Sequence, residues 1–353
     1  MIRTILLTGT RAPVTLDLAR RLQRDGIRVI GADSCRFPLG RFSKAFTAHF
    51  RVPPARWDRE AFVGALAGIV SSQAVDLVWP TCEEVFSVAS LRGRIPCPVF
   101  LPPAEVLLRL HHKLRFAEWT RELGGGVTAP PSWEARDAPP GGDLIWKRKY
   151  SRFGCQIRTT RPEGELEPWM AQVRLEGPEF CAWALCRSGT VQALTQYRCP
   201  VRSARGAGCC FEPAGSGPVA EFMRRIARIT EYTGSIACDF LGPARDGKTY
   251  VLECNPRMTS GLHLLDPGFS VGAALAGDVV PGAPGRLGAQ LLVPTLLRAP
   301  RLADPARDVV GARGDLRPVL GQFLSLAEFA GIACRQGISL SEATTWDLEY
   351  NGD

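Results

Sequence analysis

The run Tyr250-Val251-Leu252-Glu253-Cys254-Asn255-Pro256-Arg257 places an acid, an amide and a guanidinium on alternate positions of a strand-like stretch. Alternate residues of an extended chain share a face, so Glu253, Asn255 and Arg257 would project together. A second apolar run, Ile236-Ala237-Cys238-Asp239-Phe240-Leu241, carries Asp239. The Asp246-Gly247 pair between the two runs predicts a β-hairpin, which lays Asp239 beside Glu253. Neighbouring carboxylates repel unless a cation sits between them. Asp, Glu and Asn oxygens together suit Mg2+, which takes few protein oxygens and completes its shell with water and phosphate. The planar fork of Arg257 matches phosphate or acyl-phosphate oxygens. The competing reading is a surface hairpin with solvated acids, and the cost of placing acids in apolar runs weighs against it.

Basic residues supply the counterpart. Lys113 falls on a helical stretch, and Lys147 ends the apolar strand Leu144-Ile145-Trp146. Arg148, Lys149, Ser151, Arg152, Phe153 and Gly154 follow. A flexible basic loop of this kind between two strands can fold over a polyphosphate, offering charge and backbone N–H groups. An exposed hairpin with solvated lysines is an equal reading. The extended run Gln172-Val173-Arg174-Leu175 leads to a Gly177-Pro178 turn and Glu179. Its backbone can pair with an adenine edge and its acid with ribose hydroxyls, although by itself it is only a β-turn with an acid. Thr259, Ser260 and Gly261, past Arg257, offer donors to a carboxylate. His263 titrates in the range of a general base, but a lone histidine is more often structural. Arg198, Arg202 and Arg205, among Gly206 and Gly208, read as a loop that clamps an acidic substrate or stays solvated.

The elements that must position these groups follow from periodicity. Ile5-Leu6-Leu7 reads as a buried strand, Leu16, Ala19 and Leu22 as one helical face, and Gly26 as its stop; "IRVIGADS" is a second strand. This is a βαβ opening, hence a parallel sheet. Thr8-Gly9-Thr10-Arg11 lacks the G-x-G-x-x-G pattern, which disfavours a Rossmann-type dehydrogenase. "AVDLVWP" and "CPVFLPP" predict further strands, and Thr81-x-x-Glu84 predicts a capping box before a helix. A helix end is expected near Pro168-Trp169-Met170. An amphipathic helix is expected with Phe222, Ile226 and Ile229 on one side, and further helices around 270–277 and 321–334.

Composition bounds the class. The 353 residues are 45% hydrophobic and 22% charged, as in a globular chain of two or three units. The net charge of +8 is spread along the chain without a Lys/Arg block. With no zinc-finger, homeodomain or RNA-recognition signature, it fits anionic phosphates better than nucleic acid. Twelve cysteines contain no C-x-x-C pair and read as reduced thiols of a cytoplasmic protein. The opening "MIRTILLTGTRAP" reads as neither leader nor membrane span.

Lys113, Lys147 with its loop, the Gly177-Pro178-Glu179 turn, Asp239 and Glu253-x-Asn255-Pro256-Arg257 occur in one order. That order and spacing resemble the ATP-grasp superfamily over residues 104–265, and the opening βαβ unit is similar to a preATP-grasp domain. The nearest likeness is to stand-alone carboxylate–amine ligases. The resemblance implies an α/β and α+β architecture: a Rossmann-like preATP-grasp domain over 1–103, an ATP-grasp domain over 104–290 with a lid at about 120–180 and a core at about 181–290, and an extension over 291–353 packing on the core. It implies ATP and Mg2+. Lys113 and Lys147 would bind phosphates. Ser151, Arg152, Phe153 and Gly154 would form the mobile loop. Gln172, Val173, Arg174 and Leu175 would hold adenine, and Glu179 ribose. Asp239, Glu253 and Asn255 would bind the metal, and Arg257 the transferred phosphate. Thr259, Ser260, Gly261 and His263 would face the second substrate. The family's loop is usually Lys-Pro followed by glycines; here Arg148 follows Lys147 and only Gly154 remains, and Val173 stands where a hinge acid is common. The implied activity is ADP-forming activation of a small carboxylate and its transfer to an amine. A carboxylate–thiol ligase acting on a carrier protein and a non-catalytic nucleotide-binding protein are the alternatives. A homodimer is the expected assembly, with neither nucleic acid nor membrane as partner.

Overall fold

The computed structural model describes residues 2–152, 156–202, 208–215, 217–278, 285, 288–298 and 307–352. Three sheets organise them. The first is parallel and is built from β1 (Thr4–Thr8), β2 (Arg28–Asp33), β3 (Ala48–Arg51) and β4 (Leu77–Trp79), in the order β3-β2-β1-β4. Its central strand is buried along its whole length, as a parallel sheet covered on both faces requires. Helix α1 (Pro13–Arg24) starts at a proline, which suits a first turn whose N–H has no partner. It buries Leu16, Ala19 and Leu22 and ends before Gly26, whose φ of +78° lets the chain turn back into β2. Helix α2 (Arg59–Gln73) and β3 complete this unit.

Two local expectations hold only in part here. The strand expected in Cys97–Pro103 shrinks to one parallel bridge, Val78 to Val99, because the flanking prolines lack ladder donors. Only one arm of the capping box at Thr81 forms, the Glu84 carboxylate accepting from the Thr81 amide. The Thr81 hydroxyl donates to the Thr8 carbonyl at 2.8 Å, and Glu84 Oε1 accepts from the amides of Thr81 and Cys82, both at 3.1 Å, and from the Thr8 hydroxyl. Helix α3 (Val85–Ser90) begins only after this knot.

Helices α4 (Ala104–His111) and α5 (Lys113–Leu123) break at His112, whose ring accepts from the Arg115 amide. They lead to β5 (Val127–Thr128) and then to a small antiparallel sheet. Its strands are β6 (Ser132–Glu134), β7 (Leu144–Arg148), β8 (Ile157–Arg158) and β9 (Trp169–Val173), in the order β6-β9-β7-β8. Trp169 and Met170, expected at a helix end, are strand, with Trp146, Trp169 and Ala171 packed in the sheet's own apolar cluster.

The large sheet holds β10 (Glu179–Arg187), β11 (Thr190–Arg202), β12 (Gly208–Pro213), β13 (Gly234–Leu241), β14 (Thr249–Asn255), β15 (Ala289–Gln290) and β16 (Arg307–Asp308). Together with β5 its order is β16-β15-β12-β11-β10-β13-β14-β5. Arg198 and Arg202, expected in a loop, belong to β11, whose pairing with β12 shifts around Pro200; Arg205 and Gly206 lie outside the described residues. Helix α6 (Gly217–Ile229) buries Val219, Phe222, Met223 and Ile226, while Ile229 faces outward, contrary to the expected face. Helices α7 (Val271–Ala276), α8 (Leu292–Arg298), α9 (Arg317–Gln336) and α10 (Leu340–Ala343) follow. The final segment, residues 344–352, lies across the carboxyl side of the first sheet. There Arg11 and Ser34 hold Asp347, and Arg56 holds Glu349. No helix among the described residues is long and apolar enough to cross a membrane.

Candidate active site

The β13–β14 hairpin puts Asp239 directly opposite Glu253 and Ala237 opposite Asn255. A register shift just past Asp239 adds local twist at the acids. The Asn255 amide donates to Asp239 Oδ2 at 3.2 Å, and its Oδ1 lies 3.4 Å from the Arg257 guanidinium. Two cations close on this pair from different elements. Lys113, the first residue of α5, is 3.3 Å from Glu253 Oε2 and donates to the Ser151 carbonyl at 2.8 Å. Lys147, on β7 of the small sheet, donates to the Leu252 carbonyl at 3.3 Å. Both lysine side chains are buried.

The electrostatics follow from this crowding. Burial works against an ionised Glu253, but Lys113 and Lys147 outweigh it and hold its carboxyl well below the usual range. Burial, then the Glu253 charge, push Asp239 up to about 7. Burial lowers the Lys147 ammonium to about 8 in spite of Glu253. The acid pair thus accepts one negative charge readily and resists a second, the condition that a hard cation relieves. The donors Asp239, Glu253 and Asn255 offer oxygen only, which fits Mg2+ better than a soft metal. Among the described residues no three His, Cys, Asp or Glu side chains gather as a metal cluster.

A residue that the sequence reading passed over organises the neighbouring cations. Glu83, on the loop after β4, is buried and lies 3.5 Å from Arg257 Nε. It also accepts from Arg152 Nε and from the Tyr350 amide, the latter at 3.3 Å. Burial disfavours its charge, yet Arg152 and Arg257 hold its carboxyl down to about 2. The only sequence signal was the unusual pair of adjacent acids, Glu83-Glu84, here split between an ion-pair hub and a backbone cap. Arg152, expected in the open phosphate loop, is drawn instead to Glu83, Glu349 and the Tyr350 carbonyl. Phe153 and Gly154 lie outside the described residues.

The other candidates are placed as follows. Gln172 is buried and donates to the Ser132 hydroxyl at 2.9 Å. The Val173 and Arg174 amides donate to the Pro131 and Asp143 carbonyls. Glu179 opens β10, exposed, and pairs with Arg202 at 3.1 Å. Thr259 lies 3.4 Å from the Tyr197 hydroxyl. Ser260 and Gly261 start the short turn Ser260–Leu264. The Gly261 carbonyl accepts from Thr195 at 2.9 Å, and a Cβ there would sit 2.3 Å from Trp183, so packing accounts for this glycine. His263 is not a free base. Its Nδ1 is 2.9 Å from Asp17 on α1, Arg307 also binds Asp17 at 2.7 Å, and burial lowers the imidazole pKa.

No protein-family model matches the chain, and no curated protein matches it in sequence. Solved structures do match in three dimensions. The biotin carboxylase domain of 2-oxoglutarate carboxylase from Hydrogenobacter thermophilus superposes with a TM-score of 0.63 at 14% identity, over 79% of this chain and 71% of that one. The L-amino acid ligase from Bacillus licheniformis gives 0.55 at 14% identity, over 73% and 68%. Both are ATP-grasp enzymes. This chain has the ATP-grasp fold. The pyruvate carboxylase from Rhizobium etli gives 0.59 at 18% identity over 73% of this chain, but the match spans only 26% of that much longer protein. In ATP-grasp terms, the acid hairpin lies in the large sheet, and Lys147 comes from the small sheet beside it.

Proposed function

We propose that this ATP-grasp protein is an ADP-forming ligase that activates a carboxylate as an acyl phosphate and passes the acyl group to an amine. The observation that carries the reading is the cross-strand pair Asp239–Glu253 with Lys113 and Lys147 closing on it from two other elements. Two of the similar structures support it: one holds MgADP and bicarbonate, and the other is an amino acid ligase.

Two anions must meet in this chemistry, and positioned charge does most of the work. Lys113 and Lys147, buried beside Glu253, would bind phosphate oxygens of ATP. Asp239, Glu253 and Asn255 would hold Mg2+, which when bound neutralises phosphate oxygens. A carboxylate oxygen of the substrate attacks the γ-phosphorus, and the bond to the bridging oxygen breaks with its electron pair leaving on ADP. The amine then adds to the acyl carbon and phosphate departs. Arg257, held at its base by Glu83, would present its fork to the transferred phosphate. Exposed Glu179 and the backbone ending at Leu175 would take ribose and adenine. His263 is committed to Asp17, so the proton from the amine goes to another base or to phosphate.

The test is ADP and phosphate release with Mg2+ and a panel of carboxylic acids, bicarbonate included, each paired with amines or thiols. An ADP-forming reaction that needs an amine supports the proposal. AMP and pyrophosphate would overturn the acyl-phosphate route. Turnover with thiols alone would transfer the reading to a carboxylate–thiol ligase, and ATP binding without any turnover to a nucleotide-binding protein.

A further inference from the structure

Helix α9 (Arg317–Gln336) has two unlike faces. Pro318, Gly321, Ser325 and Phe329 are buried, with Ser325 donating to the Phe37 carbonyl and Gly321 pressed on the Phe42 ring. On the other side Leu316 is 65% exposed, Leu320 73%, Phe323 55%, Leu324 47% and Leu326 38%. At 100° per residue these positions share one face, and Ala327 continues it. No charged residue occurs from Pro318 to Ala327.

We propose that this stripe binds the same stripe of a second copy, with the two α9 helices antiparallel about a two-fold axis near Phe323. Three observations select that occupant. The first is area. At roughly 150–200 Å² for a large side chain, the five residues expose on the order of 400–500 Å². A standard interface takes about 800 Å² from each partner, about 65% of it apolar in homodimers, so the stripe supplies most of the apolar share. The second is self-complementarity, which an isologous interface demands. The rotation sets Leu320 of each copy against Leu324 of the other and brings the two Phe323 rings together on the axis. The third is charge. Arg317 and Glu328 border the same edge of the stripe, Glu328 accepting from the Arg36 and Phe37 amides of its own copy, and the rotation places Arg317 of one copy beside that carboxylate in the other. A membrane-surface helix would carry a cationic rim instead. The inference is independent of the catalytic proposal, since none of these residues belongs to the acid hairpin or its cations.

Sedimentation velocity on the full chain tests it. A dimer is expected at micromolar concentration. Phe323→Glu and Leu320→Lys, both solvent-facing in one copy, should weaken association at least 100-fold while far-UV circular dichroism and Tm stay within error of the parent. In a Cys334→Ser background, Phe323→Cys should cross-link into a covalent dimer under oxidation, whereas Ala330→Cys, away from the axis, should not. A parent that stays monomeric at 100 μM would overturn the proposal, as would a dimer that survives Phe323→Glu or a monomer that binds lipid vesicles through this helix.

Discussion

At the scale of single residues, the acid pair is decided by which cations reach it. Glu253 has the Lys113 ammonium at 3.3 Å, whereas the donors at Asp239 are neutral, the Asn255 amide at 3.2 Å and the Cys181 thiol. That asymmetry is why burial prevails at Asp239 and not at Glu253. Glu253→Gln keeps the shape and removes the charge. It should lower ADP formation by about 10²–10³-fold or more with little change in Tm, as followed by coupled ADP release; activity within tenfold of the parent would remove Glu253 from the metal set. His111 offers a second prediction that does not involve the acids. It packs against Phe86 and Tyr150 with ring centroids at 4.6 and 5.5 Å, its Nε2 is buried without a hydrogen-bond partner, and burial lowers its pKa to about 3 in spite of Glu83. The unfolded chain takes up this proton near pH 6.5 and the folded chain only near 3. The stability contribution is therefore whole above pH 6.5 and is lost as pH falls between those values, by at most about 1.4 kcal/mol per pH unit. His49 and His112 are lowered to about 4 by burial and act with the same sign. His111→Phe should thus remove about one proton from the slope of unfolding free energy against pH between 4 and 6, measured by urea denaturation; an unchanged slope would show that His111 is not buried neutral.

At the scale of elements, legibility in the sequence followed local physics. The β13–β14 hairpin was readable because alternation and an Asp-Gly turn are both short-range signals, and they put Asp239 opposite Glu253 as expected. Helix α2 was missed because Gly64 and Gly68 interrupt a run that is apolar on nearly every side. The start of strand β9 was misread because its residues are buried on both faces, so alternation is absent. The β11 extension was hidden by Pro200, an atypical strand residue tolerated at an irregularity. Glu83 was illegible for a different reason: its partners Arg152 and Arg257 are tertiary neighbours, and no spacing rule reports them. The turn Ser260–Leu264 shows how such context reassigns a residue. Gly261, expected to face a substrate, is wedged against Trp183 instead. Gly261→Ala should therefore cost about 1–3 kcal/mol through overpacking, read as a lower urea midpoint. A neutral result would mean that Trp183 can yield, and would return Gly261 to the substrate-facing set.

At the scale of the molecule, residues 344–352 bind units that are remote in sequence. Asp347 takes Arg11 at 2.5 Å and Ser34 at 2.6 Å on the first sheet; Trp346 stacks on Arg56 at 4.4 Å; Tyr350 packs on Phe86 at 4.8 Å. Glu349 stands between two arginines, Arg56 of the N-terminal unit at 2.5 Å and Arg152 after β7 at 3.1 Å. Arg152 in turn bonds Glu83, which bonds Arg257. The chain therefore links the end of the small sheet, the loop after β4 and the end of the acid hairpin through one alternating row of charges, largely shielded from water. Ion pairs of this kind are poor sources of net stability, but breaking one partner alone is expensive because the other charge stays desolvated. A double-mutant cycle separates those contributions. Arg152→Gln alone should destabilise by about 3–5 kcal/mol, since it leaves buried Glu83 with Arg257, at 3.5 Å, in place of two close cations. Glu349→Gln should cost less, because Arg56 and Arg152 are nearer solvent or have another partner. The coupling between the two substitutions should be about 1–3 kcal/mol, measured from urea midpoints of the parent, both single variants and the double variant. Coupling near zero would mean that the final segment only lies against Arg152 and does not help to fix it beside Glu83.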